Sequence, residues 1–262
     1  MTIKASPELT THLPSQPKSA NTLFAWASPA RFYPLAGMLI PWFAAIAAIA
    51  CAIGLYIGFV VAPTDYQQGE VYRIIFIHVP SAWMAMITYL AMAFWCGVFL
   101  IWKTRVSIML AQALAPTGAL FAFIALWTGA LWGRPTWGAY WVWDARLTST
   151  LILLFLYLGF MILRASIDDE RKADKASAVL ALVGSINVPI IYYSVKWWNS
   201  LHQGASVSPT MAPKMAQTML TAMLIMTIAA WSYTIAVSLY RTRSIILERE
   251  RGSDWLTKLM IK

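Results

Sequence analysis

Residues other than Asp, Glu, Lys, Arg and His form six apolar windows, at 35–61, 81–102, 106–131, 147–163, 176–195 and 215–240. Each is close to or above the ~20 residues a helix needs to cross a hydrocarbon core of ~30 Å. A charge at mid-bilayer costs at least ~2.5–3.5 kcal/mol on insertion scales, so six windows without one predict six membrane-spanning helices. Pro41, Pro116 and Pro189 fall inside windows, where neighbouring helices can satisfy the carbonyls a proline frees. The pattern therefore predicts an all-α, polytopic membrane protein with one six-helix domain over 35–240. Residues 1–34 form a polar tail, and 241–262 form a basic C-terminal tail that is weakly amphipathic and suited to an anionic lipid surface. Three connections at one face, about 62–80, 132–146 and 196–214, are the outer loops. The inner connection ASIDDERKADKA, highly charged and of mixed sign, is predicted to be solvated.

Composition agrees with the windows. The chain has 262 residues, of which 60% are hydrophobic and 12% charged, against ~45–50% and ~25% in soluble domains. The net charge of +9 could suggest nucleic acid, but the distribution is topological. With the N-terminus inside, fifteen bases fall in inner segments, and only Arg73, Arg134, Arg146, Lys196 and Lys214 fall outside. That asymmetry is the positive-inside rule, so both termini are expected in the cytoplasm. The first 34 residues do not resemble a cleavable signal peptide, and the first helix is expected to serve as an uncleaved one. Cys51 and Cys96 lie in spanning windows without a C-x-x-C or C-x-x-C-H motif, so neither a redox pair nor a covalent haem attachment is indicated. No P-loop is present, nor any H-E-x-x-H motif, so ATP hydrolysis and zinc-protease chemistry are not indicated.

The chemistry concentrates in 132–146, which reads WGRPTWGAYWVWDAR. It holds Trp132, Trp137, Trp141 and Trp143, four of the chain's 14 Trp, together with Tyr140 and Asp144. Gly133, Pro135 and Gly138 predict a shaped loop, with the next helix beginning at Leu147. An interfacial aromatic belt is the alternative explanation for these Trp. A belt spreads over helix ends, however, whereas these crowd one loop, and indole faces can stack on a flat ligand. Of three His, His12 lies in the N-terminal tail. His78 and His202 lie in the outer loops on either side of the Trp-rich one, His78 just before a helix start at Pro80. Two imidazoles can take both axial positions of a haem iron. Outer carboxylates are few, so a four-ligand zinc site is poorly supplied. Asp144 is placed to cap the fourth helix. Arg73, Arg134 or Arg146 could pair with the propionates of a haem.

The run WGAYWVWDARLTS resembles the tryptophan-rich "WWD" signature of membrane haem-handling proteins. The continuation DARLTS, the stretch RIIFIHVPSAW around His78 and the WW-to-His202 loop resemble the CcmC family of cytochrome c maturation, over about residues 35 to 240. The resemblance implies a protein of the bacterial cytoplasmic membrane whose WWD loop lies on the periplasmic face. It implies non-covalent binding of haem b, with His78 and His202 as axial ligands and Trp132, Trp137, Tyr140, Trp141, Trp143 and Asp144 as the platform. It further implies delivery to the haem chaperone CcmE, with CcmD and the ABC transporter subunits CcmA and CcmB as partners. The family member is then a transfer chaperone and not an enzyme, with ATP hydrolysis supplied by the transporter. Two other classes compete: a membrane b-type cytochrome exchanging electrons with quinone, and a solute transporter with an aromatic gate. The cytochrome usually carries its ligating His inside helices on opposite sides of the bilayer, and no apolar window contains a His. The absence of charged residues from the windows argues against a proton-coupled transporter, and a solute transporter with an aromatic gate predicts flux without haem.

Overall fold

The computed structural model describes residues 27–198, 200, 202 and 215–260. His12 and most of the loop 199–214 lie outside the described residues. Those described form helices and no strands, with six spans long and apolar enough to cross a membrane. This is a multi-pass membrane protein. In order the elements are α1 (Pro29–Tyr56), α2 (Ile75–Trp102), α3 (Arg105–Trp137), α4 (Ala145–Ala165), α5 (Glu170–Gly184), α6 (Asn187–Trp197), α7 (Gln217–Arg249) and the short α8 (Asp254–Met260). A π-helical turn, Ile57–Val61, prolongs α1, and a 3₁₀ turn, Glu70–Ile74, leads into α2. The start of α1, the later turns of α7 and α8 meet at one end of the bundle. There Arg243 of α7 lies over the ring of Tyr33 in α1 at 4.2 Å, and Trp255 of α8 lies 6.2 Å from the same ring.

Several helices run beyond their apolar windows. Helix α3 has 33 residues, about 50 Å at 1.5 Å per residue, so a good part of it projects past a ~30 Å core. It passes through Gly133 and Pro135, where a loop was expected, and ends at Trp137. The Thr136 hydroxyl donates to the Trp132 carbonyl at 2.7 Å, bracing the turn around the proline. The stop is Gly138, at φ 80°, whose N–H donates to the Arg134 carbonyl at 3.1 Å. A left-handed residue there costs glycine nothing, which makes it the natural terminator. The open part of the Trp-rich stretch is thus 138–144. Helix α2 likewise starts at Ile75, so His78 and Pro80 lie on a helix and not in the preceding loop. A count of uncharged positions stops at the first charge and cannot register helix that continues into the interfacial layer.

The fifth span is two helices. Gly184 ends α5, and α6 restarts at Asn187, with Pro189 in its first turn where a missing N–H costs little. Asn187 Nδ2 donates to the Ser149 carbonyl of α4 at 2.8 Å, holding the restart in place.

The end of the bundle that holds α8 departs from the expected solvated connection. Residues 241–249 continue α7, and Asp174, expected in the solvated connection, is buried on α5. Its carboxylate accepts a two-pronged bond from Arg249 at 2.9 and 3.1 Å, a bond from Gln112 at 3.1 Å, and an ion pair with Arg164. A charged residue therefore does sit in a spanning helix. It is tolerated because guanidinium partners from α4 and α7 converge on it.

At mid-bundle Tyr89 of α2 and Tyr157 of α4 meet edge to face, 4.9 Å apart. The Tyr157 hydroxyl donates to the Ala85 carbonyl at 2.8 Å. Gly118 and Gly184 make room: a Cβ on either would lie 2.1 Å from a tyrosine hydroxyl. This core joins α2, α3, α4 and α5 and forms the floor below the site, which lies at the opposite end from Tyr33 and Trp255.

Candidate functional site

Above that floor lies a cavity of about 320 Å³ between α2, α3, α4, α6 and α7. His78 and His202, 124 positions apart in sequence, both line it. His78 projects from α2 against α3. Its Nδ1 lies 3.0 Å from the hydroxyl oxygen of Thr128, and its ring meets Trp132 edge-on at 5.7 Å. The Trp132 indole in turn donates to Gln68 Oε1 at 2.7 Å, tying the connection between α1 and α2 to α3.

His202 is oriented by Asp144. Carboxylate oxygen Oδ1 accepts the Leu147 N–H at 2.7 Å, which makes Asp144 the N-cap of α4. The other oxygen, Oδ2, accepts the Ser200 hydroxyl at 2.6 Å and His202 Nδ1–H at 2.9 Å. One carboxylate therefore starts a helix and aims an imidazole, and the free nitrogen of His202 is Nε2. Burial works to raise the Asp144 pKa, but the Leu147, Ser200 and His202 hydrogen bonds outweigh it and hold the carboxyl below its usual range. Burial lowers the His202 pKa, and the Asp144 hydrogen bond only partly offsets this. At neutral pH the ring is uncharged and keeps its lone pair. The Trp137 ring stands 4.8 Å from it.

The structure separates the remaining candidates into two groups. Trp132, Trp137 and Arg146 line the cavity. Tyr140, Trp141 and Trp143 do not; they form a lip in the stretch 138–144, with Trp143 77% exposed and Trp141 edge-on to it at 5.4 Å. Among the arginines, Arg73 is engaged by Glu70, by the Gly58 carbonyl and by the Tyr72 hydroxyl. Arg134 bonds the Gly138 carbonyl at 2.9 Å and lies over the Tyr140 ring. Arg146 has a buried Nε with no partner among the described residues, and only a 3.4 Å contact from Nη2 to the Tyr192 carbonyl. It is the arginine with donors to spare at the cavity.

Sequence reasoning missed one wall. Met215, Met219 and Met223 line the cavity beside α2. Their i, i+4, i+8 spacing was visible, but inside a uniformly apolar window nothing marked one face from another. Thr128 was missed for the same reason. Among the described residues no three His, Cys, Asp or Glu side chains gather to hold a metal ion.

A family model described as heme exporter protein C matches residues 22–257. The chain belongs to the heme exporter protein C family. It is 42% identical to heme exporter protein C of Escherichia coli K12 over 246 residues, covering 92% of this chain and 97% of that protein. It is 47% identical to heme exporter protein C of Bradyrhizobium diazoefficiens over 228 residues, 87% of this chain and 86% of the relative. The protein of the same name from Paracoccus denitrificans is 40% identical over 229 residues, 87% and 95% of the two chains. The family match extends past the last apolar window, in keeping with a helix α7 that runs on to Arg249.

Proposed function

We propose that this protein holds haem at the periplasmic face of the bacterial cytoplasmic membrane and passes it to the haem chaperone CcmE during c-type cytochrome maturation. The observation that carries this reading is that His78 and His202 line one cavity. Among the described residues no three His, Cys, Asp or Glu gather to hold a metal ion, and Asp144 beside His202 is committed to the Leu147 N–H, Ser200 and the Nδ1 side of the ring, so a bare ion would find too few ligands there. An iron already held in a macrocycle needs two axial ligands, and two imidazoles supply them. The walls suit such a cargo. Trp132, Trp137 and the methionine row offer apolar and polarizable surface, and methionine adapts to irregular shapes. Arg146 Nε, which has no partner among the described residues, gives a propionate a charged, hydrogen-bonding partner.

The work of this chain is to bind and orient. Asp144 accepts the Nδ1–H hydrogen bond of His202, which leaves Nε2 as the nitrogen that would ligate an iron, as carboxylates behind metal-bound histidines do. The exposed Trp143 and Tyr140 at the lip give the receiving chaperone an aromatic surface to approach. No hydrolysis step is assigned to this chain; ATP hydrolysis falls to the CcmA and CcmB transporter subunits, with CcmD as a further partner. The periplasmic assignment of the cavity follows from the charge asymmetry, which puts the basic, terminus-bearing end inside. The placement of His78 on α2 removes one argument against a quinone-linked cytochrome. The pair nevertheless shares one cavity at one end of the bundle, which provides no path for electrons across the bilayer.

The test is the optical spectrum of the purified, haem-loaded protein beside H78A and H202A. The reading predicts a low-spin, six-coordinate haem in the wild type and loss of that signature in each variant. If both variants keep it, the axial assignment is wrong.

A further inference from the structure

The two cavity histidines are held by chemically unequal partners. His202 donates Nδ1–H to a carboxylate, whereas His78 Nδ1 faces the neutral hydroxyl of Thr128 at 3.0 Å. A threonine hydroxyl carries one proton. The Thr128 oxygen lies 2.6 Å from the Ile124 carbonyl oxygen and 3.3 Å from that of Ala125. Two oxygens do not approach to 2.6 Å without a proton between them, so the Thr128 proton points at Ile124. What the hydroxyl offers His78 is therefore a lone pair, and the proton in the 3.0 Å contact belongs to Nδ1. A neutral imidazole protonated at Nδ1 carries its free lone pair on Nε2.

The same turn of α3 fixes the ring in two further ways. A Cβ at Gly129 would lie 3.1 Å from His78 Cε1, so α3 approaches the imidazole closely and a side chain there would press on the ring. Trp132, one turn on from Thr128, closes the ring edge-on at 5.7 Å. Thr128, Gly129 and Trp132 thus form a cradle that sets both position and tautomer.

We propose that Thr128 is a positioning residue for the haem cargo: by accepting Nδ1–H of His78 through a hydroxyl whose own proton is committed to the helix backbone, it fixes the tautomer in which His78 Nε2 ligates iron. The proposal rests on the reading of His78 as an iron ligand. A threonine that bonds its own helix is common in membrane proteins and has no effect on a neighbouring imidazole. The experiment has to separate that role from this one.

The full-length protein is prepared in detergent as wild type, Thr128→Val and Thr128→Ser, with ¹⁵N-labelled histidine and the His78 signals assigned by their absence from H78A. In haem-free wild type and Thr128→Ser, His78 is expected protonated at Nδ1 and bare at Nε2. In Thr128→Val the two tautomers mix. Loaded with haem, Thr128→Val is expected to lose affinity by about 10- to 100-fold, as outer partners of metal-bound histidines generally show when removed. Thr128→Ser returns to within a few-fold of wild type. A wild-type His78 protonated at Nε2, or a Thr128→Val protein with wild-type tautomer and wild-type haem affinity, overturns the proposal. If the tautomers behave as stated but H78A leaves the haem spectrum unchanged, the ligand reading fails instead, and the haem step of this proposal falls with it.

Discussion

Asp144 does two jobs with one carboxylate, and Asp144→Asn separates them. Oδ1 caps α4 through the Leu147 N–H, while Oδ2 accepts hydrogen bonds from His202 Nδ1–H and the Ser200 hydroxyl. Asparagine is as good a helix cap as aspartate, so the variant keeps the first job, whereas alanine would cost about 1 kcal/mol of helix stability there. The second job is lost. The amide offers one acceptor oxygen and no charge, so it cannot cap the helix and accept two further protons at once. Removing the carboxylate behind a metal-bound histidine typically lowers metal affinity 10- to 100-fold, or about 1.4–2.7 kcal/mol. The assay is haem titration of the haem-free protein followed by optical absorption, with thermal unfolding of the same samples as the control. Asp144→Asn is expected to bind haem at least 10-fold more weakly with little change in unfolding temperature. Asp144→Ala should be weak in both. If Asp144→Asn binds haem as wild type does and only Asp144→Ala is affected, Asp144 is a helix cap and nothing more, and the reasoning about His202 is refuted.

Three further outcomes are expected. His202 has a folded pKa depressed by burial below its unfolded value near 6.5, so its contribution to stability is full above about pH 6.5 and is lost as pH falls through the folded value. Haem-free protein followed by thermal unfolding from pH 8 to pH 5 should lose stability only on the acid side of about 6.5, and a decline beginning above that range would contradict the assignment. Asp174→Asn leaves Arg164 and Arg249 without their shared counter-charge, a loss of about 3–5 kcal/mol for breaking a buried ion cluster; the readout is thermal unfolding, and a loss below about 1 kcal/mol would show the cluster to be solvated. Arg146→Gln should weaken haem binding in titration, while Arg73→Gln and Arg134→Gln should leave it unchanged, because those two side chains are already engaged away from the cavity.

The legible parts of this protein were those written in periodicities longer than a turn. Six uncharged windows gave six spans, because a bilayer penalises every charge at its centre. Of the crowded segment Trp132 to Asp144, Trp132 and Trp137 line the cavity, and the two flanking histidines line it too. What stayed hidden was decided by single contacts. Nothing local separates Trp137, which faces the cavity, from Trp143, which stands in the open. That choice is made by Gly138, whose left-handed turn ends α3 between them. Arg146 could be told from Arg73 and Arg134 only once the partners of all three were known. Asp174 read as part of a solvated loop because its arginine partners lie on other helices, one of them 75 positions away. Thr128 carried no signal at all, since a lone threonine in an apolar window is ordinary.

The most direct measurement of the central claim is the electron paramagnetic resonance spectrum of the oxidised, haem-loaded wild-type protein. Two imidazoles from one cavity predict a low-spin ferric signal of bis-histidine type, and replacing His78 and His202 together should abolish it. A high-spin signal in the wild type, or a low-spin signal that survives the double replacement, would contradict the account.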